Sequence, residues 1–255
     1  MAVGVLTAGC KPAAPTPGPA VHTLPPATAY LAPPEVVKAV RRGGEVLLSG
    51  TGAPGGAVRL AAPDGSATTG PVDRGGLWSL ATPAGPAPRL YSLSETIGGR
   101  LLRARGYVAF LPAPGPAAAL LRPAAGAVLP PAVASREISA VDYDGSGAAT
   151  VSGRARAGEG LRLLLDGKDA GEDRADASGA FDAALSRRLT PGPHVLVLVG
   201  LHAKGSARFT APRSTQLATP LFAAARLEEG WRIDWTTPGG GVQSTILFDQ
   251  PGGRP

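Results

Sequence analysis

The residues able to do chemistry are few and scattered. The chain has three histidines, His22, His194 and His202, and a single cysteine, Cys10. A transition-metal centre needs several His, Cys or carboxylate ligands at motif spacing, and neither H-E-x-x-H nor a cysteine pair is present. No metal or cofactor is therefore expected. A G-x-S-x-G elbow, a phosphate loop and a dinucleotide fingerprint are also missing. Glu228 and Glu229 form a carboxylate pair, but neighbours on a strand point to opposite faces and do not converge on one substrate. Asp142-Tyr143-Asp144-Gly145-Ser146-Gly147 has the opening spacing of a calcium loop, yet its twelfth position is Gly153 where a bidentate Glu belongs. An Asx-type turn is the simpler reading. No enzymatic activity is expected.

The recognition chemistry is aromatic and cationic. Trp231, Ile233 and Trp235 alternate with Arg232 and Asp234, so the three apolar side chains share one strand face. Trp231, Trp235 and Tyr143 are the candidate binding residues. Two placements are open: the aromatic face is an exposed platform, or it docks on the second domain. The net charge of +6 and pI of about 10.0 raise the question of nucleic acid, but the arginines are dispersed. Their densest group is Arg100, Arg103 and Arg105, with no recognition helix or stacking motif beside it. Nucleic acid is not expected as a partner.

Cys10 follows the small, apolar run MAVGVLTAG. Leu6-Thr7-Ala8-Gly9-Cys10 resembles a bacterial lipobox, in which small residues precede a cysteine lipidated on sulfur; the large apolar residue stands one step early, at Leu6. The resemblance implies a lipid on Cys10 and a membrane as partner, and the alternative is a free thiol in a tail. Lys11 to Pro34 is rich in proline, which favours extended polyproline II and suits a tether. No later stretch offers the roughly 18 uninterrupted apolar residues of a membrane-spanning helix. The apolar run 112–133 is broken by prolines and reads as an interdomain linker.

These residues must be positioned by strands. Gly 36 and Pro 27 make up about a quarter of the chain, and helix interiors tolerate neither. The sequence also matches itself. Ser49-Gly50 recurs as Ser152-Gly153, Val58-Arg59-Leu60 as Leu161-Arg162-Leu163, and Trp78 as Phe181, at a constant offset of 103 residues (Gly50 to Gly153, Trp78 to Phe181). Gly55, Asp73 and Gly76 recur at the same offset as Gly158, Asp176 and Gly179. Val58 and Leu60 face inward around Arg59, and the second copy repeats that alternation. Asp64-Gly65 and Asp166-Gly167 supply hairpin turns. Trp78 and Phe181 are expected as buried core anchors.

The pattern V-S-G-x-A-x-x-G-x-x-L-x-L, then D-G, then D-x-x-G-x-F, over Val151 to Phe181, resembles bacterial immunoglobulin-like repeats; Leu48 to Trp78 is a looser copy. The resemblance implies an all-β fold of two tandem immunoglobulin-like sandwiches; beyond them, Gly230 to Trp235 and Val242 to Phe248 read as two strands of a C-terminal β-hairpin joined by a Pro-Gly-Gly-Gly turn. The expected organisation is a lipobox-like segment at 1–10, a tether at 11–34, repeats at 35–112 and 138–213 with a linker at 113–137, and the hairpin segment at 214–255. The expected role is a non-catalytic cell-envelope lipoprotein, anchored to a membrane facing the periplasm or exterior. It would act as a structural, spacer or interaction module toward an envelope protein or glycan. The alternative is a soluble periplasmic carbohydrate or peptidoglycan binder using the C-terminal aromatics.

Overall fold

A computed structural model describes Met1 and residues 31–113, 115–130, 137–212 and 222–249. Among these residues there are 18 strands and no helix. The lipobox-like run, Cys10 and nearly all of the tether lie outside them.

The first repeat begins with β1 (Glu35–Arg42), β2 (Glu45–Thr51), β3 (Ala57–Ala61) and β4 (Ala67–Pro71). It continues with β5 (Leu77–Pro83), β6 (Arg89–Ile97) and β7 (Arg100–Phe110). The antiparallel sheet β1-β2-β5 packs against a second sheet that includes β4-β3-β6-β7. Alternation along β5 is strict: Trp78, Leu80 and Thr82 turn inward while Leu77, Ser79, Ala81 and Pro83 turn out.

The second repeat uses β9 (Ile138–Asp144), β10 (Ala149–Arg154), β11 (Gly160–Leu165) and β12 (Lys168–Arg174). They are followed by β13 (Ala180–Ala184), β14 (Gly192–Gly200) and β15 (Lys204–Ala211). Its sheets, β9-β10-β13 and β12-β11-β14-β15, repeat the first strand for strand. The protein is an all-β tandem of two sandwiches with one topology.

The internal match has a physical basis. Gly50 pairs across the sheet with Trp78, and Gly153 pairs with Phe181 in the same way. A Cβ at Gly50 would lie 2.5 Å from the Trp78 ring, and one at Gly153 would lie 2.8 Å from the Phe181 ring. The Ser-Gly step therefore makes room both for a backbone carbonyl, of Glu35 or Glu137, that would lie 1.8 Å from such a Cβ, and for the opposing aromatic; both rings are buried, at 3% and 5% exposure. The turn before each ring is also the same. Asp73 accepts from the backbone N–H of Gly75 and Leu77, and Asp176 accepts from Ser178 and Ala180. Asp166-Gly167 forms a two-residue hairpin in which both residues have positive φ, 52° and 73°. Both angles belong to a type I′ turn.

Two expectations about the connections differ from the structure. The stretch expected as a linker, 113–137, contributes β8 (Ala118–Leu121), which pairs with β7 and widens the first sandwich to a five-stranded sheet. The prolines flank this strand instead of entering it, so the ladder is intact. The C-terminal region has a third strand besides the expected two: β16 (Phe222–Arg226) precedes β17 (Gly230–Thr236) and β18 (Val242–Phe248). β18 pairs with β9, so the second sandwich's sheet becomes six-stranded, in the order β13-β10-β9-β18-β17-β16.

Candidate functional site

The structure places the three candidate binding rings in the interior. Trp235 is 0% exposed, Tyr143 is 5% and Trp231 is 9%. They do not form one group, because neighbouring positions on the six-stranded sheet point to opposite sides. Tyr143 joins Ile246 and Phe248 in the core of the second sandwich, and its hydroxyl donates to the Pro212 carbonyl at 3.2 Å. Trp231, Ile233 and Trp235 face the other way, against Leu90, Ala109 and Leu121 of the first sandwich. The hairpin is bonded to the second domain, as expected of a docked hairpin, but its aromatic face covers the first. Neither tryptophan offers the open platform a sugar ring would stack on.

Other sequence candidates resolve locally. Asp144 closes its own turn, accepting from the backbone N–H of Ser146 and Ala148 and from the Ser146 hydroxyl. This is the Asx geometry expected there. Arg103 and Arg105 are exposed on one side of β7. His194 Nδ1 lies 2.8 Å from Asp166 Oδ2, a pairing with catalytic precedent, but Nε2 is 2.6 Å from the Thr190 carbonyl. Both ring nitrogens are thus engaged within the fold, and neither faces a substrate position. Sequence reasoning had no signal for this pair, since 28 residues separate its members.

The densest polar chemistry lies at the junction of the two sandwiches, around a residue the sequence pointed to only as the start of a turn. Asp142, on β9, is fully buried beneath the segment Arg122–Val128, which runs from β8 toward the second sandwich. Its Oδ2 accepts the Ala127 backbone N–H at 2.6 Å, and its Oδ1 accepts the Thr245 hydroxyl at 2.5 Å and the Gln243 amide at 3.2 Å. Gln243 also donates to the carbonyls of Arg122 and Ala125 and accepts from the Ala124 N–H. On the far side, Asp182 of β13 holds the Gly126 N–H at 2.8 Å and the Arg122 guanidinium at 2.5 Å, while Ser152 donates to the Ala127 carbonyl. Burial pushes the Asp142 carboxyl up to about 7, against the hydrogen bonds that favour its ionised form.

Arg41 fastens the other end of the connection. From β1 its guanidinium donates to the carbonyls of Leu111, Gly115 and Pro116, three acceptors in the stretch between β7 and β8. Arginine's planar fork of donors suits such a cluster. The junction is therefore held by an apolar contact between the sandwiches and by polar bonds along the connecting chain.

No protein-family model matches the chain, and no curated protein matches it. Among solved structures it is similar to the BSP domain of a biofilm-associated protein, at 13% identity over 73% of this chain and 30% of that one, with a TM-score of 0.24. It is also similar to a bacterial ice-binding adhesin, at 14% identity over 80% of each chain, with a TM-score of 0.23. A central fibronectin-III array of RIM-binding protein overlaps at 12% identity over 88% of this chain and 87% of that one, with a TM-score of 0.27. The chain spans under a third of the biofilm protein's length. The sandwich architecture described above rests on this chain's own strand order.

Proposed function

We propose that the chain is a non-catalytic structural or interaction module whose two sandwiches are locked into one unit, and that it works as a cell-envelope lipoprotein. The observation that carries the reading is the sealed junction. Trp231, Ile233 and Trp235 bury against Leu90 and Leu121, and the connecting segment is bonded along its length. A flexible string of domains needs neither. A spacer or presenting element needs both, since inter-domain motion is the default unless the interface is apolar and well packed.

The location rests on Leu6-Thr7-Ala8-Gly9-Cys10 and the proline-rich stretch behind it, which would serve as anchor and tether facing the periplasm or exterior. Envelope proteins or glycans are the partners to seek, on surfaces other than the buried aromatic face. The test combines mass spectrometry of the mature protein with membrane fractionation of wild type and Cys10→Ser. A diacyl mass on Cys10, and release of the variant from the membrane, are expected. An unmodified thiol and identical fractionation overturn the envelope assignment. Rigidity is tested separately: NMR residual dipolar couplings should fit one alignment tensor for both sandwiches, and two independent tensors would overturn the locked-unit reading.

A further inference from the structure

We infer that Asp142 is a proton-controlled latch on the junction: while its carboxyl is neutral, the segment Arg122–Val128 and the C-terminal strands stay closed on β9, and its ionisation loosens them.

Among the described residues, no cation pairs with this carboxyl. The groups facing it from β18 and β10 are Gln243, Thr245, Thr150 and Ser152, all neutral. The charged groups around it are Asp182 on β13, Arg122 in the overlying segment and Asp144 two residues along β9. Arg122 is committed to Asp182 at 2.5 Å and to the Gly126 carbonyl at 2.8 Å, so its positive charge neutralises a different carboxylate. Asp144 is occupied by its own turn. An ionised Asp142 accepts three hydrogen bonds but, among the described residues, remains a buried anion without a counterion, beside a second anion.

The neutral form has a place for its proton. Thr245 Oγ1 carries two lone pairs; one accepts the Trp235 Nε1–H at 3.1 Å, and the second is free to accept once the hydroxyl no longer donates to Asp142 Oδ1, 2.5 Å away. Protonation reverses this bond, with Asp142 donating to Thr245 Oγ1. The chain of contacts then crosses to the first sandwich, where Trp235 meets Tyr107 of β7 edge-on, with ring centroids 5.8 Å apart. One proton is thereby coupled to the connecting segment through Ala127 and to the domain contact through Trp235.

The direction follows from linkage. A carboxyl raised from its ordinary value of 3.8 to about 7 in the closed junction contributes its full stabilisation below the open-state value and loses it as pH rises through about 7. The junction is therefore tightest in mild acid and loosest above neutrality.

The full chain, with carboxyl-carbon NMR and native-state hydrogen exchange between about pH 4 and 9, tests this. The Asp142 carboxyl should titrate near neutrality. After correction for intrinsic exchange, protection of the Ala127 amide and the Trp235 indole N–H should fall by up to roughly tenfold per pH unit between about 4 and 7. Core amides such as those of Leu48 and Val151 should keep theirs, and Asp142→Asn should remove the pH dependence at the junction. A carboxyl that titrates below about 5, or junction protection with the same pH dependence in wild type and variant, overturns the latch. If the variant does not fold, the wild-type titration alone decides.

Discussion

Glu95, on β6, and Glu159, the residue before β11, bring their carboxylates to the same corner of their respective sandwiches from opposite sides. Val58 pairs with Glu95 in the first sandwich, and its counterpart Leu161 pairs with Gly200 in the second. Gly56 in turn corresponds to Glu159, at the offset of the internal repeat. The two sandwiches therefore exchange Gly and Glu crosswise. In each, the carboxylate fills the space its glycine leaves: a Cβ on Gly56 would lie 2.1 Å from Glu95 Oε1, and one on Gly200 would lie 2.5 Å from Glu159 Oε1. Both carboxylates accept the same loop amide, from Ala53 in one and Arg156 in the other.

Swapping the pair within the first sandwich should restore what either single change breaks. Gly56→Glu crowds two carboxylates into one corner, and Glu95→Gly leaves the Ala53 N–H without its partner. The double variant reproduces the second sandwich's arrangement. Denaturant unfolding should give a favourable coupling of about 1–3 kcal/mol between the two substitutions. Additive losses would show that the corners are not equivalent.

Glu95 also gives the first sandwich a pH response. The residue is buried, its Oε2 has no partner among the described residues, and burial raises its carboxyl above the ordinary value of 4.5. A raised acid contributes stability below its unfolded value and loses it as pH rises through the folded one. Glu95→Gln keeps the acceptor for Ala53 and carries no charge, so its unfolding midpoint should fall less than wild type's between pH 4 and pH 8. Parallel pH curves for the two proteins would refute this.

Trp78 and Phe181 should be energetically equivalent anchors. Each is buried opposite a glycine, and Trp78 additionally donates to the Thr51 carbonyl at 2.9 Å. Replacement of either by Ala should cost about 3–5 kcal/mol in equilibrium unfolding. A loss of only a few tenths of a kcal/mol at either position would contradict its burial.

How much of this was readable in advance follows a physical divide. Turn aspartates, the Ser-Gly step and the anchoring aromatics depend on neighbours a few residues away or on strict alternation, and the 103-residue offset exposed them. The Gly/Glu exchange is not legible in the sequence because its partners are far apart along the chain and the offset differs between them: Gly56 to Glu159, but Glu95 to Gly200. β8 was hidden because Ala and Pro dominate its surroundings and carry little strand signal. Asp142 drew attention through Asp144 and Gly145, its neighbours in sequence, whereas its chemistry comes from Thr245, 103 residues away by chain and in contact only through β18.

The two C-terminal tryptophans should respond differently to the same change. Trp231 Nε1 is buried without an acceptor among the described residues, whereas Trp235 Nε1 donates to Thr245. Trp231→Phe therefore removes an unsatisfied donor, and its stability should stay within about 1 kcal/mol of wild type. Trp235→Phe breaks a buried hydrogen bond and should cost about 1–3 kcal/mol. The reverse ranking in thermal or denaturant unfolding would contradict the assigned contacts.

Truncation after Pro220 should damage both sandwiches. It removes β16, β17 and β18, leaves β9 as a bare edge, and uncovers Leu90, Ala109 and Leu121 on the first sandwich. Lower thermal midpoints and concentration-dependent aggregation are expected. A truncated protein that keeps wild-type stability and solubility would show that the hairpin covers nothing of consequence.

The pairing of β18 with β9 also sets a timetable. Thr245 meets Asp142 only after the last strand has been made, so during synthesis both sandwiches can form while the apolar outer face of the first waits for cover. Chains emerging at about 5–20 residues per second leave Leu90 and Leu121 open for several seconds. That interval exposes the nascent chain to partner-swapping, in which the hairpin of one molecule caps the first sandwich of another, and low chain density at the site of folding protects against it.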